Sequence, residues 1–381
     1  MDTGLKTRNT VLSALRDGEP FEGLPGVQVG KLDSKGAEGF DLAFELKSGA
    51  NKVFVLGEVK SHVTPKQLED IRPWILRLKS VQPGTAFAVI SPYLTSTAQA
   101  FCIENGIDFI DLAGNVSINV PGKFTLQRLG MRGASTVDDR DDTRIQNVYS
   151  GKTSRVLRVL LQKPRAWNLT TLANELENET RTSPFVNNSS KTRESTFKIS
   201  LGSISKALST LEQELWIRRR NSAIVVPEPA RLLDRWAQKY KERYRWRLRS
   251  SFTCSNPFGA ELAGMAESLT RVAPGGFAFT GAAAASVRAP FVDLDKIDIF
   301  VSSADAGVRL QEMGKEQSMG PPIRVLSPYD FGVFLYGTYE GAIPVVSDVQ
   351  AYLDLYSRGG RDLKQAQYLL ENRIQTSWKA A

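Results

Sequence analysis

The period of the hydrophobic pattern changes along this chain, and the change decides what each stretch can fold into. Between Phe40 and Gln127 apolar blocks of strand length recur: Phe40–Leu46 (FDLAFEL), Val53–Lys60 (VFVLGEVK), Ala86–Ile90 (AFAVI), Ile107–Leu112 (IDFIDL), and Val116–Val120 with Phe124–Gln127 about Pro121-Gly122. Helical spacing lies among them. A helix is expected over about Leu5–Arg16. Another starts after Thr64-Pro65 and carries Leu68, Ile71, Ile75 and Leu78, and a third covers Ser96–Asn105. The order is α-β-β-(β)-α-β-α-β, the bracketed strand being optional, which is an α/β fold. Gly133–Thr143 (GASTVDDRDDT) is polar and without period, so a linker is placed there. The pattern is then helical from Ser154 to Leu215. It returns to α/β after Gly259, with a helix to Arg271, strands at Phe277–Thr280, Lys296–Val301, Ile323–Leu326, Val333–Tyr336 and Ile343–Val346, and helices at Ser347–Leu355 and Leu363–Glu371. The 381 residues suit about two or three domains. The expected division is 1–132, a linker at 133–150, 151–238 and 239–381.

Charge is distributed unevenly. Residues 151–250 hold 21 Lys+Arg against 9 Asp+Glu, whereas 1–150 hold 17 against 18 and 251–381 hold 11 against 14. The middle segment therefore carries +12 of a chain whose net charge is +8. Such asymmetry points to a polyanionic partner, nucleic acid first. Cys102 and Cys254 are the two cysteines and His62 the one histidine. A disulfide scaffold, a cysteine-rich zinc site and any mechanism needing two histidines are excluded. No apolar run of membrane-spanning length occurs, and the N-terminal segment lacks a secretory apolar stretch, so a cytoplasmic protein with no membrane partner is expected.

The basic segment has its own logic. Ser154–Gln162 reads as a helix stopped by Pro164, Thr170–Leu176 as a second, and Leu201–Leu215 as a third. In the third, Leu201, Ile204, Leu208, Leu211 and Leu215 are expected on one face, with Gly202, Ser203, Lys206, Ser209 and Thr210 opposite. Trp216–Val226 (WIRRRNSAIVV) then reads as a basic hairpin turning at Asn221-Ser222. This is the pattern of a winged helix-turn-helix. Ser203, Lys206 and Ser209 would face base edges in the major groove, and Arg218, Arg219 and Arg220 would reach phosphates. The polar insert Glu177–Lys198 departs from the tight turn such modules use. After a connecting helix over Arg231–Lys241, basic and apolar residues alternate in Lys239–Arg249. As a strand this would bury Tyr244, Trp246 and Leu248 and set Arg243, Arg245, Arg247 and Arg249 on one face, with Arg245 and Arg247 as further DNA contacts.

Three constellations could carry chemistry. The first is Asp41 followed by Glu58-Val59-Lys60 on the next strand. Glu58 and Lys60 share a face, two carboxylates with the Val59 carbonyl can hold Mg²⁺, and a lysine can orient an attacking water. With its element order, this stretch resembles the PD-(D/E)XK nuclease core, without the Pro-Asp dipeptide and without an evident acid on the first helix beyond Glu19 or Glu22. His62 would share the face if the strand continued, though a solvated loop residue is the simpler reading. The second is the winged-helix arginines. The third is Gly281-Ala282 followed by Asp293, Asp295 and Asp298, distantly similar to nucleotidyltransferases. There Ala282 stands in the place of a serine and Lys296 interrupts the acidic strand.

Gly57-Glu58-Val59-Lys60, Asp111-Leu112-Ala113-Gly114-Asn115, Ile204-Ser205-Lys206-Ala207-Leu208 and Val345–Leu355 (VVSDVQAYLDL) resemble the AbiEi-type antitoxins of type IV toxin–antitoxin systems. The resemblance implies a winged-helix transcriptional regulator that binds double-stranded DNA and counters a nucleotidyltransferase-like toxin. A homodimer is compatible with inverted-repeat operators. DNA binding needs no cofactor. The alternative is a Mg²⁺-dependent endonuclease targeted by the winged helix, with Asp41, Glu58 and Lys60 catalytic and Asp41 and Glu58 as metal ligands.

Overall fold

The computed structural model describes residues 2–33, 39–131, 147–185, 199–242, 244, 248–273, 276–313 and 318–379. It divides into two compact units, one essentially residues 1–145 and the other essentially 146–381. No helix among the described residues is long and apolar enough to cross a membrane.

The first unit is built on a seven-stranded sheet whose spatial order follows the chain. β1 (Val27–Asp33), β2 (Leu42–Ser48) and β3 (Asn51–Val59) form an antiparallel meander. β4 (Thr85–Ser91) and β5 (Asp108–Asp111) lie parallel to β3. β6 (Val116–Val120) and β7 (Phe124–Arg128) close the sheet as an antiparallel hairpin. Parallel neighbours need crossovers, and α2 (Pro65–Val81) and α3 (Ser96–Glu104) supply them. Both bury Leu68, Ile75, Ala98 and Cys102 against Phe40, Ala43, Leu56, Phe87 and Phe109 on one sheet face. The helix α1 (Asp2–Asp17) covers the other face with Val11, Leu12 and Leu15. The start of α2 follows from its sequence. Thr64 accepts from the Gln67 N–H, the Gln67 side chain accepts from the Thr64 N–H, and Pro65 fills the first helical position. β1 was not expected. It is a half-exposed edge strand with Gly30 in its interior and an irregular register between Val29 and Leu32, so its alternation is faint.

The second unit opens with three helices, α4 (Ser154–Gln162), α5 (Leu169–Thr182) and α6 (Leu201–Gln213). β8 (Arg218–Arg220) and β9 (Ala223–Val225) follow as a hairpin, with Trp167 bridged to Ile224 as a third arm. The long helix α7 (Pro229–Glu242) then buries Leu232, Leu233, Trp236, Ala237 and Tyr240. Beyond it lies a six-stranded mixed sheet in the order β10-β13-β12-β11-β15-β14. Its strands are β10 (Leu248–Cys254), β11 (Phe277–Thr280), β12 (Ile297–Val301), β13 (Ile323–Pro328), β14 (Thr338–Glu340) and β15 (Ile343–Val345). The helices of this part are α8 (Leu262–Val272), α9 (Gly281–Arg288), α10 (Ala304–Met313), α11 (Asp348–Arg358), α12 (Arg361–Leu369) and α13 (Gln375–Lys379). One continuous apolar core joins the helical part to this sheet, running from Val156 and Leu160 through Trp236 to Phe300 and Leu353.

Several expectations are corrected. The second helix of the basic segment does not stop at Leu176. It continues to Thr182, into the stretch read as an insert, while 186–198 lie outside the described residues. Lys239–Glu242 belong to α7, because Trp236 and Tyr240 keep the helical period running past Lys239; the strand begins only at Leu248. Arg243, Arg245, Trp246 and Arg247 lie outside the described residues. Val333–Tyr336 is not a strand. Asp330 caps a tight helical turn over Phe331–Phe334 by accepting the Gly332 N–H, and Tyr336 then takes a left-handed φ of 60°.

Candidate functional site

The helical part of the second unit runs as three helices and a hairpin. Ser200 accepts the Ser203 N–H at 3.1 Å and so starts α6. Ile204, Ala207, Leu208, Thr210 and Leu211 are buried, while Gly202, Lys206, Ser209 and Gln213 form an exposed stripe. Lys206 and Ser209 thus stand where the periodicity put them. Ser203 is half-buried, and its hydroxyl lies 2.9 Å from that of Ser200. Thr210 was expected to face outward, but it is buried and donates back to the Lys206 carbonyl. Leu201 was assigned to the core, yet it is 57% exposed in the first turn of α6. Helical spacing concealed this exposed apolar side chain.

The hairpin turns on Asn221 and Ser222, both with positive φ (47° and 68°), the geometry of a two-residue turn that matches strand twist. All three arginines of β8 are exposed. Side chains alternate along a strand, so Arg218 and Arg220 share one face and Arg219 takes the face of its partner Ile224, which is buried. Neither Arg218 nor Arg220 makes an ion pair among the described residues. Trp167 and Ile224 exchange backbone hydrogen bonds at 2.9 and 2.6 Å, which fixes the hairpin to the body of the module.

In the first unit the structure brings Asp41, Glu58 and Lys60 together. Leu42 pairs with Gly57, so Asp41 and Glu58 stand opposite each other at the same end of β2 and β3. The Val59 N–H donates to Asp41 Oδ2 at 2.8 Å, and Lys60 Nζ donates to Glu58 Oε1 at 2.7 Å. Arg8 of α1 was not anticipated here. Its Nε and Nη2 donate to the Asp41 carbonyl at 3.1 and 2.7 Å. His62 lies beyond β3 and is exposed. Asp41 Oδ1 and Glu58 Oε2 have no hydrogen bond among the described residues. Mg²⁺ commonly takes one or two carboxylates and completes its shell with water and substrate phosphate, so this pair fits Mg²⁺ as two ligands. No third His, Cys, Asp or Glu side chain joins the pair among the described residues.

The third constellation is occupied by the protein itself. Gly281, with φ of 56°, joins β11 to α9. Asp298 lies fully buried in β12 and accepts two hydrogen bonds from Arg324, at 2.9 and 2.6 Å, and one from Arg358 at 3.0 Å. Asp293 and Asp295 are exposed. Beside this cluster Asp354 is wholly buried. It accepts from Tyr240 at 2.9 Å, Thr280 at 2.6 Å and Gln350 at 2.7 Å. Burial pushes the Asp354 carboxyl above the ordinary aspartate range, against the pull of those three donors. Tyr244, expected on a strand, instead accepts from Arg324 Nη2 through its hydroxyl.

Comparison with known proteins places part of this chain. No match to a curated protein is found. The solved structure of EndoMS in apo form is similar over 28% of this chain and 45% of its own, at 16% identity and a TM-score of 0.21, a likeness too slight to carry an argument. The chain thus spans under half the length of that protein. Residues 225–375 match the family model described as "Transcriptional regulator, AbiEi antitoxin, Type IV TA system". The match begins at the last residue of β9 and takes in α7, the six-stranded sheet and the Asp298 and Asp354 clusters. Over residues 225–375, about two fifths of its length, the chain is therefore similar to the AbiEi antitoxins, transcriptional regulators of type IV toxin–antitoxin systems.

Proposed function

We propose that this chain is a DNA-binding transcriptional regulator of the type IV antitoxin kind. Its winged helix binds duplex DNA, with Lys206, Ser209 and Leu201 of α6 toward base edges and Arg218 and Arg220 on phosphates. The observation that carries this reading is the exposed stripe of α6 beside a wing whose arginines are all open to solvent, directly preceding an AbiEi-type domain. Phosphate contacts fix register and base contacts give sequence preference. The AbiEi-type domain then serves the antitoxin role, facing a nucleotidyltransferase-like toxin in the cytoplasm, and inverted-repeat operators would suit a homodimer. A gel shift on duplex DNA upstream of the gene tests it. A retarded complex that needs Lys206 is expected, and an absence of binding at low salt overturns it.

A second reading is favoured by the meeting of Asp41, Glu58 and Lys60 on a sheet with the strand order of PD-(D/E)XK nucleases. In it Asp41 and Glu58 hold Mg²⁺, which supplies Lewis-acid activation of a phosphodiester. Lys60 would then leave Glu58 to orient the attacking water. Lys60 pairs with Glu58 and Arg8 holds the Asp41 main-chain carbonyl, so two cations stand at this end of the sheet, where a nucleic-acid backbone would lie. Supercoiled plasmid incubated with the protein and Mg²⁺ or Mn²⁺ separates the readings. Intact plasmid is expected. Nicking that disappears in Glu58→Ala would make the nuclease the leading function.

A further inference from the structure

The residue just before Asp41 opens a second feature of the first unit. Phe40 is buried, and its ring is stacked on Trp74 of α2, with centroids 4.9 Å apart and planes 24° from parallel. Phe87 supports Phe40 from another side at 5.7 Å. Trp74 itself is 40% exposed, and its indole N–H has no hydrogen-bond partner among the described residues. One face of the indole is therefore held by Phe40, while two fifths of the residue is open to water. A tryptophan usually buries more than this or finds a partner for its N–H.

The local sequence gives up helix stability at this point. Pro73 sits inside α2, directly before Trp74. A proline there removes a backbone hydrogen bond and crowds the preceding turn, a cost that an uninterrupted surface helix avoids. Arg77, one turn on and exposed, makes no ion pair among the described residues, and neither does exposed Arg72. Glu69 and Asp70 are the acids of the same helix, about one turn earlier. On the helix surface Asp70 lies one turn before Trp74 and Arg77 one turn after it, and the ring packs on the residue adjoining the Asp41–Glu58–Lys60 end of the sheet.

We infer that Trp74 is a stacking platform for an unpaired nucleobase, so that the first unit engages single-stranded or locally opened nucleic acid. This rests on the reading that the Asp41–Glu58–Lys60 end meets a nucleic-acid backbone, and it names the form of nucleic acid taken there. Every base offers a π-face, so the platform is tolerant of sequence, and Arg77 one turn on supplies charge to the strand. A duplex keeps its bases stacked on one another and cannot use it.

The test uses the full chain and two labelled strands of equal length, one of oligothymidine and one of abasic sugar-phosphate, read by fluorescence anisotropy. The parent should bind the base-bearing strand more tightly. Trp74→Ala should lose about tenfold or more on that strand and nothing on the abasic one. Trp74→Phe, which keeps an aromatic ring and guards against a folding artefact, should retain most of the affinity. Equal binding of both strands by the parent overturns the platform, as does a Trp74→Ala loss that is the same on both. Lys60→Ala separates this from the reading beneath it. If Lys60→Ala weakens both strands while Trp74→Ala is silent, the backbone reading stands and the platform falls. If both variants are silent on both strands, the two fall together.

Discussion

Replacing Arg218 and Arg220 together by alanine isolates the electrostatic part of the DNA binding proposed for the β8–β9 hairpin. Both side chains project from the same face of β8, both are exposed, and neither is tied to a carboxylate among the described residues. Removing them should therefore cost little stability and two phosphate contacts. Each contact on duplex DNA contributes about 0.9 to the slope of log affinity against log salt, so the double variant should flatten the slope by about 1.8. Between 50 and 200 mM salt the parent should then lose roughly twelvefold more affinity than the variant does. The effect should be the same on any duplex, since phosphates carry no sequence. Arg219→Ala alone should change the slope by less than the pair, because Arg219 shares its face with buried Ile224. Anisotropy titrations at five or six salt concentrations measure all three slopes. Parallel lines for parent and double variant would refute the assignment of the wing to phosphate.

Two further outcomes concern the buried clusters of the second unit. Asp298→Ala leaves Arg324 and Arg358 without the carboxylate they share, and losing one partner of a buried ion pair costs about 3–5 kcal/mol. The melting transition should fall by roughly 6–20 °C, and an unchanged transition contradicts a structural role for Asp298. Asp354, whose folded-state acidity is weakened by burial, adds stability that is fully present at pH values below the unfolded aspartate range and is lost as pH rises through its folded pKa. Asp354→Asn should flatten the decline of melting temperature above about pH 4. A variant curve with the parent's slope would show that Asp354 does not carry it.

The architecture was largely readable where one period dominates. Leu68 and Ile75 of α2, the Thr64-Pro65 start, and the pairing of Asp41 with Glu58-x-Lys60 all followed from local rules, because capping and strand alternation act within a few residues. Leu201 shows where that logic ends. It has the spacing of a core residue, but the first turn of α6 extends beyond the core it would have joined, so it faces water. Tyr240 falls where the helix expected over Arg231–Lys241 overlaps the alternating stretch Lys239–Arg249; the helix holds, and the strand begins only at Leu248. Arg8 and Trp74 could not be found from spacing at all. Each reaches the carboxylate–lysine end by tertiary packing, Arg8 through the Asp41 carbonyl and Trp74 through the Phe40 ring. Asp298 was read as one acid of a constellation distantly similar to nucleotidyltransferases, and only the fold brings Arg324 and Arg358 to it.

Selection of duplexes from a random pool, run side by side with the parent and Lys206→Ala, tests the central claim most directly. The parent should enrich one motif, and the variant should bind total DNA nearly as well while losing most of that enrichment, each misread base pair being worth about 1–3 kcal/mol. A parent that enriches nothing, or a variant that enriches the same motif to the same degree, would contradict sequence reading by α6.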